Sequence, residues 1–300
     1  MSNIRKAIVP VAGHGIRMLP ISRAFRKAFF PIPDSEGLVK PVIQLIIEEA
    51  ISGGIEEICL VTTPEDKEIF RSYFSSPPDH LKRAIGNREI FLEAAEFPHE
   101  LADRLTYVIQ ENPLGFGDAV LKAKSWSGNE PFLVMLGDHL YLSKTQQGCT
   151  GQLLERFNQI QAPISGLIQK PLDSLKDFGT VSGIPIENKK GLYKLDTIIE
   201  KPNINKAKKY LRMKNIPIDY FLCWFGLHAM TQDLFGFLEQ IKKNNMGRGQ
   251  HELQLTSAQS CLCADTDYFG LEINGNHFDT GSPKGFVDAV AKFGNLKKDN

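Results

Sequence analysis

Apolar positions in the first half of the chain fall into short runs rich in β-branched residues, bounded by Gly, Pro or polar residues and separated by helical periodicities. Ala7 to Ala12 is predicted as the first strand, ending at Gly13. After Pro41 the stretch VIQLIIEEAISGG places Val42, Leu45, Ile46, Ala50 and Ile51 on one helical face and stops at Gly53-Gly54. A strand over Ile55 to Thr63, a helix after Pro64, a strand over Leu105 to Gln110, a helix from Gly117 to about Lys124 and a strand over Phe132 to Leu136 follow. This alternation predicts βαβ units around a mainly parallel sheet buried on both faces, with ligand chemistry at the carboxyl ends of the strands.

From Gln152 the pattern changes. A helix through Gln161 and a strand over Ile164 to Gln169 lead into a β-rich section, Gly179 to Glu200, that turns at Asn188-Lys189-Lys190-Gly191. The final third, through Phe225, Leu255 and Phe278, supplies further strands and helices without a linker or a repeat. The expected organisation is one domain over 1–295, with halves at about 1–150 and 151–295, and a frayed tail over 296–300.

Composition narrows the classes. Lys+Arg and Asp+Glu both number 35, so the net charge is zero and no basic stripe favours a nucleic-acid or acidic-membrane partner. The lysines of NINKAKKYLRMK read as a solvated helix face. Five cysteines, Cys59, Cys149, Cys223, Cys261 and Cys263, lack C-x-x-C spacing and read as reduced, mostly buried residues. No run approaches the ~20 apolar residues of a spanning helix and no secretory leader is evident, so a cytoplasmic setting is expected.

Candidate chemistry begins where the first strand ends. Gly13-His14-Gly15 lets backbone N–H groups approach a ligand closely, and phosphate is the natural guest, with an ordinary tight strand-to-loop connection as the alternative on this turn alone. The turn is neither a dinucleotide fingerprint nor a Walker A loop. Arg17 can clamp phosphate oxygens as a bidentate fork, and Lys27 adds a point charge. With Arg23 and Arg26, the segment Ile16 to Phe30 holds four cations and no acid. Asp138, after Gly137, and Asp279, in Phe278-Asp279-Thr280-Gly281, are candidate Mg²⁺ ligands, though each alone reads first as a turn or helix cap. Glu200-Lys201-Pro202 offers a carboxylate for sugar hydroxyls and a lysine for phosphate, and the proline predicts an extended Lys201. The histidines are too scattered in sequence to predict a metal site, no Gly-x-Ser-x-Gly elbow is present, and Phe29, Phe30, Phe221, Trp224 and Phe225 read as core.

Taken in order, these segments resemble the sugar-nucleotide pyrophosphorylase family, most closely its bacterial uridylyltransferase branch, from about Ile4 through Gly294. The motifs are Val11-Ala12-Gly13-His14-Gly15-Ile16-Arg17-Met18-Leu19-Pro20, the lysine segment Arg26 to Pro31, QENPLGFGDAV at 110–120, LGDHLYL at 136–142, Phe178 to Val181, Glu200-Lys201-Pro202, Gly226, ELQLT at 252–256 and Phe278 to Ser282. The resemblance implies an α/β, Rossmann-like nucleotidyltransferase fold, with a central mixed, mostly parallel sheet flanked by helices and a smaller β-rich sugar-binding subregion.

It also implies Mg²⁺-dependent condensation of UTP with glucose 1-phosphate, giving UDP-glucose and pyrophosphate. By the same resemblance Arg17 and Lys27 are catalytic, Asp138 and Asp279 bind the metal, Ala12, Gly13, Gly15, Gln110 and Gly115 bind the nucleotide, and Gly179, Glu200 and Lys201 bind the sugar phosphate. A homodimer or homotetramer is implied as well. The alternatives are a thymidylyl- or other nucleotidyltransferase and a weakened sugar-nucleotide-binding regulatory homologue. Several positions depart from the family pattern: Ile16 replaces threonine, Arg26 and Ala28 replace the proline and glutamate around Lys27, and residues Ser35 to Val39 look like an insertion.

Overall fold

The computed structural model describes residues 3–246 and 252–296. In chain order the elements are β1 (Lys6–Pro10), β2 (Pro31–Pro33), β3 (Val39–Pro41), α1 (Val42–Ser52), β4 (Glu57–Thr62), α2 (Pro64–Tyr73), α3 (Asp79–Ile85), α4 (Glu89–Glu100), β5 (Leu105–Ile109), α5 (Phe116–Lys122), α6 (Lys124–Ser127) and β6 (Phe132–Met135). There follow β7 (His139–Ser143), α7 (Cys149–Ile160), β8 (Ile164–Pro171), β9 (Gly179–Pro185), β10 (Leu192–Glu200), α8 (Ile204–Tyr210), β11 (Tyr220–Met230), α9 (Asp233–Met246), α10 (Leu255–Asp265), β12 (Phe269–Glu272), β13 (Gly275–Asp279) and α11 (Pro283–Gly294).

Nine strands form one sheet in the order β5-β4-β1-β6-β11-β8-β12-β10-β9. The first four are parallel, as the alternation of strand and helix requires, and β11 then runs antiparallel to β6, so the sheet continues across residue 150 into the second half. Beyond β11, β8 and β12 are parallel while β10 and β9 form the antiparallel hairpin expected around Gly191. Strand β9 also returns to β11 through Leu222 with Val181 and Cys223 with Thr180, which closes that end of the sheet on itself.

The near-continuous apolar strands bury both faces because side chains alternate. Ala7, Val9, Leu133 and Met135 join one core cluster, with α1 and α7; Ile8, Phe132 and Val134 join the other, with α5, α9 and α10. Helix α1 packs more deeply than its predicted stripe. Ile43 and Ile47 are fully buried, whereas Leu45 and Ile51 are half-buried, because the helix packs against β7, α7 and the 3-10 turn at Lys27–Phe29. Helix α2 starts as a capped helix should: Thr63 accepts from the Asp66 N–H and Pro64 occupies the first turn.

Boundaries differ from the periodicity by a residue or two. Ladder hydrogen bonds nevertheless continue past the formal ends, from Val11 N–H to Val61 O and from Gln110 N–H to Thr62 O, each 2.8 Å. The segment that looked inserted, 35–39, is the turn and edge of the small β2–β3 hairpin. Helices α3 and α4 were not predicted, since their apolar residues Leu81, Ile90 and Phe91 are exposed and form no core-facing stripe. The expected tail falls outside the described residues except for Leu296.

Candidate active site

Loops leaving β1, β5 and β6 open on a cavity of about 600 Å³, closed on the far side by residues from β9, β10, β11 and α10. Ala12, Gly13, Arg17, Lys27, Gln110, Gly115, Asp138, Gly179, Glu200, Lys201 and Asp279 all line it. Residues from across the chain thus meet where the parallel strands end. Gly15 alone of the predicted set does not line the cavity: its φ of 66° and its carbonyl, which accepts from Met18 N–H at 2.9 Å, start the 3-10 turn that carries Arg17.

Four charges meet at the centre. Arg17 holds Asp279 with Nη1 to Oδ2 at 2.7 Å and Nη2 to Oδ1 at 3.1 Å, a bidentate fork. Lys27 Nζ donates to Asp138 Oδ2 at 2.6 Å, and Arg17 Nη2 comes within 4.0 Å of that same oxygen. Asp138 is buried. Burial pushes its carboxyl up, but the charge of Lys27, with His139, the Lys27 hydrogen bond and Arg17, brings it down to about 2. Both Thr280 N–H and Thr280 Oγ1 donate to the Asp138 carbonyl, tying the two aspartate loops together.

Glycines permit this approach. A Cβ on Gly281 would lie 2.4 Å from Asp138 Oδ2, and one on Gly137 would lie 2.4 Å from the Pro10 carbonyl. Asp279 does also serve as a turn cap, accepting from Gly281 N–H at 3.0 Å, so the bland and the chemical roles coexist.

His139 joins a cluster that histidine spacing did not point to. One ligand atom from each of Asp138, His139 and Asp279 can be chosen so that all lie within 4.8 Å of one another, a donor set suited to a divalent cation. His139 follows Asp138 directly, and only the fold brings Asp279 beside it. Its ring stacks on His277 at 5.2 Å, and its Nδ1 is buried without a partner.

At one end of the cavity Gln110 Nε2 donates to Asp118 Oδ2 at 2.8 Å and to the Gly115 carbonyl at 3.3 Å. Gly115 adopts φ 104°, and a side chain there would strike the Leu253 backbone. At the other end Glu200 Oε2 accepts from Thr256 Oγ1 at 2.7 Å, and Gly179 lies directly against Trp224.

Lys201 is not extended as its place before a proline predicts. It has φ 44°, because its N–H donates to the Phe178 carbonyl at 3.1 Å and bends the chain. Glu200 and Lys201 therefore both face the cavity, with Nζ 3.9 Å from Oε1. Trp224, read as core, is largely buried yet also lines the cavity. Thr256 stood only within the ELQLT segment, with no role of its own, and Gln259 and His228 carried no site expectation, since nothing local distinguishes them on a buried helix and strand.

The departures around Lys27 have structural partners. Arg26 Nε donates to the buried Asp66 Oδ1 at 2.5 Å, and Ala28 is buried in the core, so the lysine turn is clamped to α2 on one side and packed on the other. Ile16 is exposed at the outside of the turn. Cys59, Cys149 and Cys223 are buried, Cys263 is half-buried and Cys261 is exposed, all as free thiols. Among the described residues no helix is long and apolar enough to cross a membrane.

A family model described as nucleotidyl transferase matches residues 6–295. The chain is 36% identical over 293 residues to a UTP–glucose-1-phosphate uridylyltransferase 1 of Streptococcus pyogenes serotype M1, covering 96% of this chain and 88% of that protein. Among solved structures, a UDP-glucose pyrophosphorylase complexed with UDP-glucose superposes with a TM-score of 0.76 at 26% identity, covering 97% of this chain and 98% of the other. A UTP-bound UGPase from Acinetobacter baumannii gives 0.77 at 28% identity, covering 97% and 93%.

Proposed function

Because the chain belongs to the nucleotidyl transferase family, we infer that it condenses UTP with glucose 1-phosphate to give UDP-glucose and pyrophosphate. The observation that carries this reading is the quartet of Arg17, Lys27, Asp138 and Asp279 in one cavity that Gln110, Gly115, Gly179 and Glu200 also line.

The reaction needs a phosphate oxygen of the sugar 1-phosphate to attack the α-phosphorus of the nucleotide in line, with pyrophosphate leaving. Such chemistry asks a protein chiefly for positioning and charge neutralisation. Arg17 and Lys27 are matched to that demand. Each is held ready by a carboxylate, and each exchanges that partner for phosphate oxygens when substrate arrives. Arg17, with its exposed fork, takes the leaving pyrophosphate, and Lys27, deeper against Gly13, takes the reacting phosphates.

Asp138 and Asp279, freed by this exchange, would hold a divalent metal, here proposed as Mg²⁺, which when bound supplies further neutralisation of the triphosphate. Ala12, Gly13, Gln110 and Gly115 receive the nucleotide, and Gly15 shapes the turn beneath it. Gly179, Glu200 and Lys201 receive the sugar phosphate. The same reading carries a homodimer or homotetramer, testable by light scattering, and a cytoplasmic enzyme with nucleotide-binding and sugar-binding halves.

A pyrophosphate-release assay with purified protein, Mg²⁺, the four nucleoside triphosphates and a panel of sugar 1-phosphates tests the reading. Turnover with UTP and glucose 1-phosphate is expected, and silence across the whole panel would overturn it.

A further inference from the structure

His228, on β11, lies in the cavity wall and is almost fully buried. Its Nδ1 is turned into the core, where Ser165 Oγ lies 2.7 Å away and Gln259 Nε2 3.1 Å away. Both partners also reach the Tyr268 hydroxyl, at 2.6 and 2.9 Å, so the ring is held by a closed network. An amide nitrogen only donates, so Nδ1 accepts and the ring proton resides on Nε2. Burial lowers the imidazole pKa to about 3, which keeps the ring neutral in that tautomer. Trp224 stands edge-on to it at 5.4 Å and fixes its plane. Among the described residues no protein group bonds Nε2, which is the edge of the ring left to the cavity.

The neighbours say which part of the cavity this donor serves. Gln259 lies three residues after Thr256 on α10, hence on the same helix face, and Thr256 is the residue bonded to Glu200. Trp224 packs at once on His228 and against Gly179. His228 therefore shares a wall with Glu200 and Gly179 and has the opposite hydrogen-bonding sense: the carboxylate accepts and the imidazole N–H donates.

We propose that His228 donates its Nε2–H to a hydroxyl oxygen of the sugar 1-phosphate and thereby determines which sugars the enzyme accepts. The proposal rests on the reading that Gly179 and Glu200 face the sugar. A neutral donor fixed by Ser165, Gln259 and Trp224 needs no reordering on binding. A sugar lacking the oxygen would leave that donor unpaired in a buried wall, the kind of mismatch that discriminates strongly between analogues.

The test uses glucose 1-phosphate and its 2-, 3-, 4- and 6-deoxy analogues with UTP, on the wild-type enzyme, His228→Phe and His228→Gln. The wild type is expected to turn over one deoxy analogue at least about 10-fold less efficiently than glucose 1-phosphate. His228→Phe is expected to lose about 10- to 100-fold in kcat/KM for glucose 1-phosphate, to treat that one analogue and glucose 1-phosphate alike, and to leave the KM for UTP unchanged. His228→Gln, whose amide nitrogen reaches toward the Nε2 position, restores part of the discrimination.

A wild-type enzyme that turns over glucose 1-phosphate and all four analogues equally overturns the proposal whatever the variants do, while leaving the proposed function intact. So does a His228→Phe enzyme that keeps the wild-type ranking. No turnover of any sugar 1-phosphate by the wild type overturns both readings.

Discussion

The guanidinium of Arg17 closes on the carboxylate of Asp279 through hydrogen bonds of 2.7 and 3.1 Å, joining residues 262 apart in the chain. Arg17 is more than half exposed, so the pair contributes little to stability, on the order of 1 kcal/mol or less. Arg17→Ala is accordingly expected to unfold at nearly the wild-type denaturant midpoint while losing about 10²- to 10³-fold in kcat. Asp138→Asn should abolish turnover with the circular dichroism spectrum unchanged. Normal activity in either variant would remove that residue from the mechanism.

Arg26 and Asp66 form a part-buried pair at 2.5 Å that clamps the Lys27 turn to α2. Asp66 is buried, so deleting Arg26 strands a carboxylate, and a double-mutant cycle of Arg26→Ala with Asp66→Asn should give a coupling of about 1 to 3 kcal/mol in urea unfolding. A coupling near zero would mean that the turn holds its place without the clamp.

Gly115 combines φ 104° with a backbone only 2.6 Å from where a Cβ would sit, on Leu253 O. Gly115→Ala must therefore shift the loop that carries Gln110's acceptor. Isothermal titration should show UTP affinity falling at least about 10-fold, with a stability cost of about 1 to 3 kcal/mol. Unaltered UTP binding would place the base elsewhere.

His228 supplies a pH dependence of stability. Its folded pKa of about 3 lies below the ordinary 6.5, so between those values the unfolded chain takes up the proton first. The stability that the neutral ring contributes is complete above about pH 6.5 and falls as pH drops toward 3, by up to about 1.4 kcal/mol per pH unit. Burial lowers His277 in the same direction. Urea unfolding at about pH 7 and about pH 5 should show a shallower loss for His228→Phe than for the wild type. Equal losses would mean that the ring titrates normally.

Thiol labelling should separate the cysteines by depth. Cys261 is exposed and should react first with a disulfide reagent, and Cys263, whose thiol burial pushes up to about 11, should follow slowly. Cys59, Cys149 and Cys223, each pushed up to about 12 by burial, should react only after unfolding. Rapid reaction of all five would contradict the core packing.

By itself the sequence determined the parallel half of the sheet, because β1, β4, β5 and β6 are apolar on both faces and bounded by Gly, Pro and caps, signals that act within a few residues. It also singled out Arg17, Lys27, Asp138, Glu200 and Asp279 as candidates, because their types and surrounding motifs are local, and all five line the cavity. Tertiary structure alone decided which of them touch: that Arg17 takes Asp279 and Lys27 takes Asp138 depends on β1, β6 and β13 converging, and no spacing encodes that. It decided too that Lys201 bends, since a hydrogen bond to Phe178 outweighs the local preference before a proline. That Gln259 and His228 join Thr256 in one wall was invisible for the same reason. A glutamine and a histidine on buried elements carry no local mark, and their places come from what α10 and β11 set opposite them.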